Sequence, residues 1–175
     1  MQLSKLITDF LEYLELERNA SQLTIRNYDH YLKRFLEMAG DIDPKAIDLN
    51  LVRKYRLYLS KWTDPQTQKP LKRITQNYFM IALRAFLRYL AKINTPSLSY
   101  EQVELEEVER SPVKELADYQ LWSLLEATDI TKKEGLRDKA ILETLIATGL
   151  RVSELARLNR DTINLADTQA RITLK

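Results

Sequence analysis

The chain has 175 residues, 45% apolar and 30% charged, with three glycines, no cysteine and a single histidine, the profile of a soluble helical protein of one ordinary domain or two small ones. Zero cysteine excludes disulfides and thiolate metal sites, and a lone His30 argues against a zinc or copper centre. No apolar run approaches 18 residues, and the opening "MQLSKLITDF" has neither a signal-peptide core nor a cleavage site, so a cytoplasmic protein without membrane spans is expected.

Leu3, Leu6, Ile7, Phe10, Leu11 and Leu14 recur with helical spacing and predict an amphipathic helix over about 2–18. After "NAS", a second helix carries Ile25, Tyr28, Leu32 and Phe35 and stops at Gly40. A third uses Leu51, Tyr55, Tyr58, Leu59 and Trp62. The polar loop "TDPQTQKP" precedes a fourth and longest helix, with Ile74, Tyr78, Ile81, Ala82, Ala85, Phe86 and Tyr89 expected along its core side. Four helices with short connections predict a compact bundle over residues 1–93.

Residues 94–116 hold two prolines, an acidic run and few large apolar side chains, and read as a linker. Over 117–175, Leu121, Trp122 and Leu125 suit one helix, and Leu136, Ala140, Ile141, Thr144 and Leu145 suit another, capped by Gly149. A short helix through Val152, Leu155 and Leu158 follows, and "INLADTQARITLK" reads as a turn leading into a β-strand.

Charge divides along the same line. Residues 1–92 carry 16 basic against 10 acidic side chains, a net of +6, and the remainder 11 against 15, a net of −4. This split suggests a first unit that faces a polyanion, although scatter on solvated helix faces gives the same count. The pattern within the helices is more telling. With about 100° per residue and Arg73 at zero, Arg84, Asn77 and Arg88 fall at about 20°, 40° and 60°, on a sector expected opposite the core side. Lys69, Lys72 and Gln76 lie at or just ahead of that helix start, and on the second helix Arg26, His30 and Lys33 share a face behind Thr24. Cations with amides among them suit a phosphate backbone and base edges. The plainer reading is an ordinary solvated face.

In "ATGLRVSEL", residues 147–155, a guanidinium sits between leucine and valine in a neighbourhood that reads as buried, where an unpartnered charge is costly. Glu154 lies one turn on and can hold Arg151. Taken alone, such a pair is most often a plain salt bridge.

The stretch "LRDKAILETLIATGLRVSELARLNRDTINL", residues 136–165, resembles the opening of the catalytic domain of tyrosine recombinases, the Xer and phage-integrase family. "TIRNYDHYLKRFLEM" and "ITQNYFMIALRAFLRYL" resemble their SAM-like core-binding domain. The resemblance covers nearly the whole chain; the arginine-glutamate motif is its more specific part. It implies a mainly α fold: a four-helix core-binding bundle, a linker, and the first helices and first strand of an α+β catalytic domain.

The resemblance also implies a site-specific recombinase that cuts and rejoins double-stranded DNA through a 3′-phosphotyrosyl intermediate with no metal or nucleotide cofactor, working with other protomers as a tetramer on its site. Arg151 then matches the first catalytic arginine and Glu154 its supporting acid. The family lysine on the following hairpin is either Lys175 or a residue just after it, the latter being favoured. The family's His-x-x-Arg motif and nucleophile have no counterpart here: no tyrosine follows Tyr119, and His30 lies ahead of Arg151 with the wrong spacing to arginine. These 175 residues are therefore expected to bind DNA without cleaving it. A non-catalytic DNA-binding regulator and a helical protein-interaction module remain as alternatives.

Overall fold

The computed structural model describes residues 2–65, 68–107 and 115–159, with the backbone of residues 163–164 and 169–170. The chain divides into two compact units, Met1–Arg110 and Ser111–Lys175.

The first unit is a four-helix bundle of α1 (Leu3–Leu16), α2 (Gln22–Ala39), α3 (Leu49–Lys61) and α4 (Arg73–Lys92). Local chemistry sets the helix limits. Ser21 caps α2 by accepting from the Thr24 N–H at 3.1 Å, and Asp48 caps α3 by accepting from the Leu51 N–H at 2.7 Å. Gly40 ends α2 at φ +78°, a conformation that disfavours any side chain. The Asp41 carboxylate just beyond accepts from the Ser4 N–H at 2.8 Å and the Ser4 hydroxyl at 2.7 Å, so the end of α2 satisfies the start of α1.

Helix α2 packs on α1, α3 and α4, and α4 also packs on α1 and α3. Phe10, Phe35, Tyr55 and Phe86 are the largest fully buried side chains. Phe35 meets Tyr55 edge-on at 5.0 Å and Phe10 meets Phe86 at 5.7 Å, geometries that aromatic quadrupoles favour. The Tyr55 hydroxyl donates to the Tyr31 carbonyl at 3.3 Å, and burial pushes that phenol well above its ordinary pKa.

Helix α4 is turned differently from the expected phase. Its buried residues are Phe79, Met80, Ala82, Leu83, Phe86, Leu87 and Leu90, whereas Ile74 and Tyr78, expected on the core side, are exposed. On the same wheel the buried arc runs from about 180° to 340°, and the sector holding Arg73, Asn77, Arg84 and Arg88, at about 0–60°, still lies outside it. The phase differs because apolar side chains surround most of α4, and its neighbours choose which part they cover.

Packing also continues past residue 93, into the stretch read from the sequence as linker. A 3-10 turn at Tyr100–Gln102 lies against α4, Val103 is fully buried, and Leu98 and Leu105 pack on the core.

The second unit contains α5 (Asp118–Glu126), α6 (Lys133–Thr148) and α7 (Val152–Leu155). Gly149 ends α6 at φ +64°. Gly135, in the first turn of α6, lies so close to the Asp129 backbone that a Cβ there would overlap its carbonyl. Beyond α7 the structure shows a two-stranded antiparallel ladder, β1 (Ile163–Asn164) with β2 (Gln169–Ala170), in place of the single strand expected. None of the residues of α5, α6 and α7 is buried.

The bundle core predicts its own weak point. Phe86→Ala should cost about 3–5 kcal/mol in a denaturant titration of the chain, the range for an aromatic lost from a packed core. A loss below 1 kcal/mol would mean that Phe86 is not central.

Candidate nucleic-acid interface

On α2, Arg26, His30 and Lys33 are exposed and Thr24 is half-buried. The Thr24 hydroxyl is within 2.8 Å of the Ser21 hydroxyl, and Lys33 is paired with Asp29 at 2.7 Å, an exposed pair that competes weakly with a phosphate. The His30 ring lies 5.8 Å from Phe79 of α4, so the two helices bearing the basic faces meet there.

On the α4 side, Lys69, Lys72 and Arg73 are exposed and Arg84 is half-buried. Among the described residues, the side chains of Arg26, Lys69, Lys72, Arg73 and Arg84 have no ion pair or hydrogen bond. Arg88 lies over the Tyr100 ring at 5.7 Å. The amides are engaged: Gln76 donates to the Leu71 carbonyl at 2.9 Å and Asn77 to the Glu106 carbonyl at 3.0 Å, with Asn77 Oδ1 buried and unpartnered. Arg56 of α3, absent from the residues singled out by sequence, points to the same place, donating to the Glu104 carbonyl and lying 4.0 Å from the Glu106 carboxylate. Its only sequence signal is a position among the cations of "LVRKYRLYL".

In the second unit, Arg151 stands immediately ahead of α7, after the turn at Gly149. Its neighbourhood is not buried, contrary to the expectation from sequence: the Arg151 side chain is 82% exposed and that of Glu154 15%. Nothing therefore penalises the charge. Glu154 holds the residue at two points, accepting from the Arg151 N–H at 2.8 Å and from Nη1 at 3.1 Å. The backbone N–H foremost, then the guanidinium, keeps the Glu154 carboxyl below its usual pKa of 4.5. A guanidinium anchored through one nitrogen leaves donors for planar, two-pronged contact with an anion. Lys175 lies outside the described residues.

Residues 7–94 match the "Phage integrase, N-terminal SAM-like domain" family and residues 114–175 the "Phage integrase family". The chain belongs to the phage integrase family. The first match takes in both basic faces and the second the Arg151–Glu154 pair. Tyrosine recombinase XerC of Pelotomaculum thermopropionicum is 34% identical over 97% of this chain and 56% of its own length. XerC of Bacillus subtilis is 31% identical over 89% of this chain and 50% of its own length, and XerD of Listeria innocua 30% over 93% and 54%. The chain thus spans about half the length of the curated relatives it matches. Among the described residues, no helix of this integrase-family chain is long and apolar enough to cross a membrane.

The order of causes at Glu154 can be tested. Since its carboxylate is favoured by folding, the brace it gives α7 is complete above the ordinary glutamate pKa and lost as pH falls through the lowered value. A carboxyl-resolved NMR titration should show that lowered value in the wild type and most of the lowering retained in Arg151→Ala, which keeps the backbone donor. Full return to the ordinary value in that variant would make the guanidinium the main cause.

Proposed function

We propose that this chain is the DNA-gripping part of a tyrosine-type site-specific recombinase: α2 and α4 hold duplex DNA, and Arg151 receives the phosphate to be cut. The observation that carries the first half is the set of cations Arg26, Lys69, Lys72, Arg73 and Arg84, unpaired among the described residues, on or beside two helices that touch at His30 and Phe79. Such a surface lowers its free energy by replacing the condensed counterions of DNA. Thr24, Lys33 and Arg88 flank it.

Arg151 suits the chemical step. When a tyrosine hydroxyl attacks phosphorus, the new P–O bond forms the 3′-phosphotyrosyl ester and the bond to the 5′ oxygen breaks, leaving as a hydroxyl once protonated. Negative charge builds on the non-bridging oxygens in between. A guanidinium already fixed by Glu154 meets that charge without reorganising, and its fork spans two oxygens where a lysine reaches one. The nucleophile is not among residues 120–175, which contain no tyrosine. Joint action of several protomers at one site, and a cytoplasmic setting, belong to the same proposal.

The binding half is tested by salt. With about four to six phosphates neutralised, log K for a duplex should fall against log salt with a slope of about −0.9 per contact, and Arg73→Ala/Arg84→Ala/Arg88→Ala should flatten it. An unchanged slope would show that face to be idle, and no duplex affinity even at low salt would favour a protein-interaction module.

The catalytic half is tested in a full-length protein containing this chain, on a suicide DNA substrate. Arg151→Ala should slow covalent-adduct formation by about 100- to 1000-fold, or about 3–4 kcal/mol. Arg151→Lys should recover little of that loss. Cleavage by Arg151→Ala at the normal rate would reduce Arg151 to a salt-bridge residue.

A further inference from the structure

The part of the α3–α4 face that carries Arg56, Gln76 and Asn77 is already occupied by the chain itself. After α4 the backbone returns along that helix, with Tyr100 beneath Arg88 and Val103 fully buried. Beyond this anchor it presents carbonyls and a carboxylate to the donors beneath it. Arg56 takes the Glu104 carbonyl and lies 4.0 Å from the Glu106 carboxylate, and Asn77 takes the Glu106 carbonyl at 3.0 Å. Arg56, Gln76, Asn77 and Glu106 line a notch of about 280 Å3 there. Glu101, Glu104, Glu106 and Glu107 are all exposed along the segment.

A guanidinium and an amide N–H2 converging on carbonyls and a carboxylate form the constellation that would hold a phosphodiester, with a peptide standing where the phosphate oxygens would lie. The exposed charge contact is individually weak, so the buried Val103 side chain is the main hold on the segment. Building on the proposed DNA binding, we infer that residues 104–107 are a resident competitor for DNA. They occupy the Arg56–Asn77 notch in the free chain and must lift before those two side chains reach a phosphate. Arg56 then joins the DNA contacts, and the apparent affinity of the free chain is reduced by the fraction of time the segment is docked.

The chain has no cysteine, so Val103→Cys places one thiol at the anchor. It should react slowly with a thiol reagent in the free protein and about tenfold faster or more once saturating duplex is bound, with binding followed by anisotropy on the same sample. Val103→Ala, which changes no charge, should bind the duplex about three- to tenfold more tightly than the wild type at equal salt. In the unaltered protein, the Val103 amide, bonded to the Tyr100 carbonyl at 3.2 Å, should lose hydrogen-exchange protection when DNA binds, a readout that survives if either variant fails to fold. Bound duplex with the thiol rate, the affinity and the amide protection all unchanged would overturn the competitor while leaving DNA binding intact. Absence of duplex binding by any of the proteins would instead remove the DNA reading and this inference together.

Discussion

Seven side chains of α4 are buried against the rest of the bundle, and that packing decides where the other side chains of α4 point. Rotating the helix to bury Ile74 and Tyr78 instead would draw Phe79, Leu83 and Leu87 into water, a loss on the order of 1.5–3 kcal/mol for each large apolar side chain. The orientation is therefore firmly held. With it are set the sector that carries Arg73, Arg84 and Arg88, and the side of α4 on which the Tyr100–Leu105 segment can lie.

The same packing explains how an apolar core and a cationic face coexist within one helix diameter. The guanidinium of Arg88 rests on Tyr100, and that of Arg34 lies 4.4 Å from the centre of the Trp62 ring. Long cationic side chains lay their stems along apolar surface while their charges stay hydrated. Charge is thus kept at the rim of the core, where an anion can approach. At Arg151 the arrangement is simpler, since the side chain is exposed and one carboxylate orients it.

The carbonyls of Glu104 and Glu106 and the Glu106 carboxylate engage Arg56 and Asn77, so the acidic run is more than spacer. Its placement depends on Val103, a fully buried apolar residue that ends the 3-10 turn and brings the charged residues after it against α3 and α4. The negative balance of the second part of the chain is in this way partly delivered to the surface of the positive first part.

The sequence by itself determined the four helices of the bundle, the stops at Gly40 and Gly149, and the pairing of Arg151 with Glu154, because each is a local matter of spacing or backbone conformation within a few residues. It also placed Arg73, Asn77, Arg84 and Arg88 in one sector of α4, since helical geometry alone does that. Which way the sector faces was undecidable locally: apolar residues occupy most of the helix circumference, and only the neighbouring helices select the arc that is buried. Val103, one valine within an acidic run, carries no periodic signal, and its burial depends on contacts with residues far away in sequence. The exposure of Arg151 was misjudged for the same reason, because flanking leucine and valine mark a core only where another element covers them. Tertiary packing alone decided these points, since burial is a relation between elements and leaves no reliable trace in the order of residues along one of them.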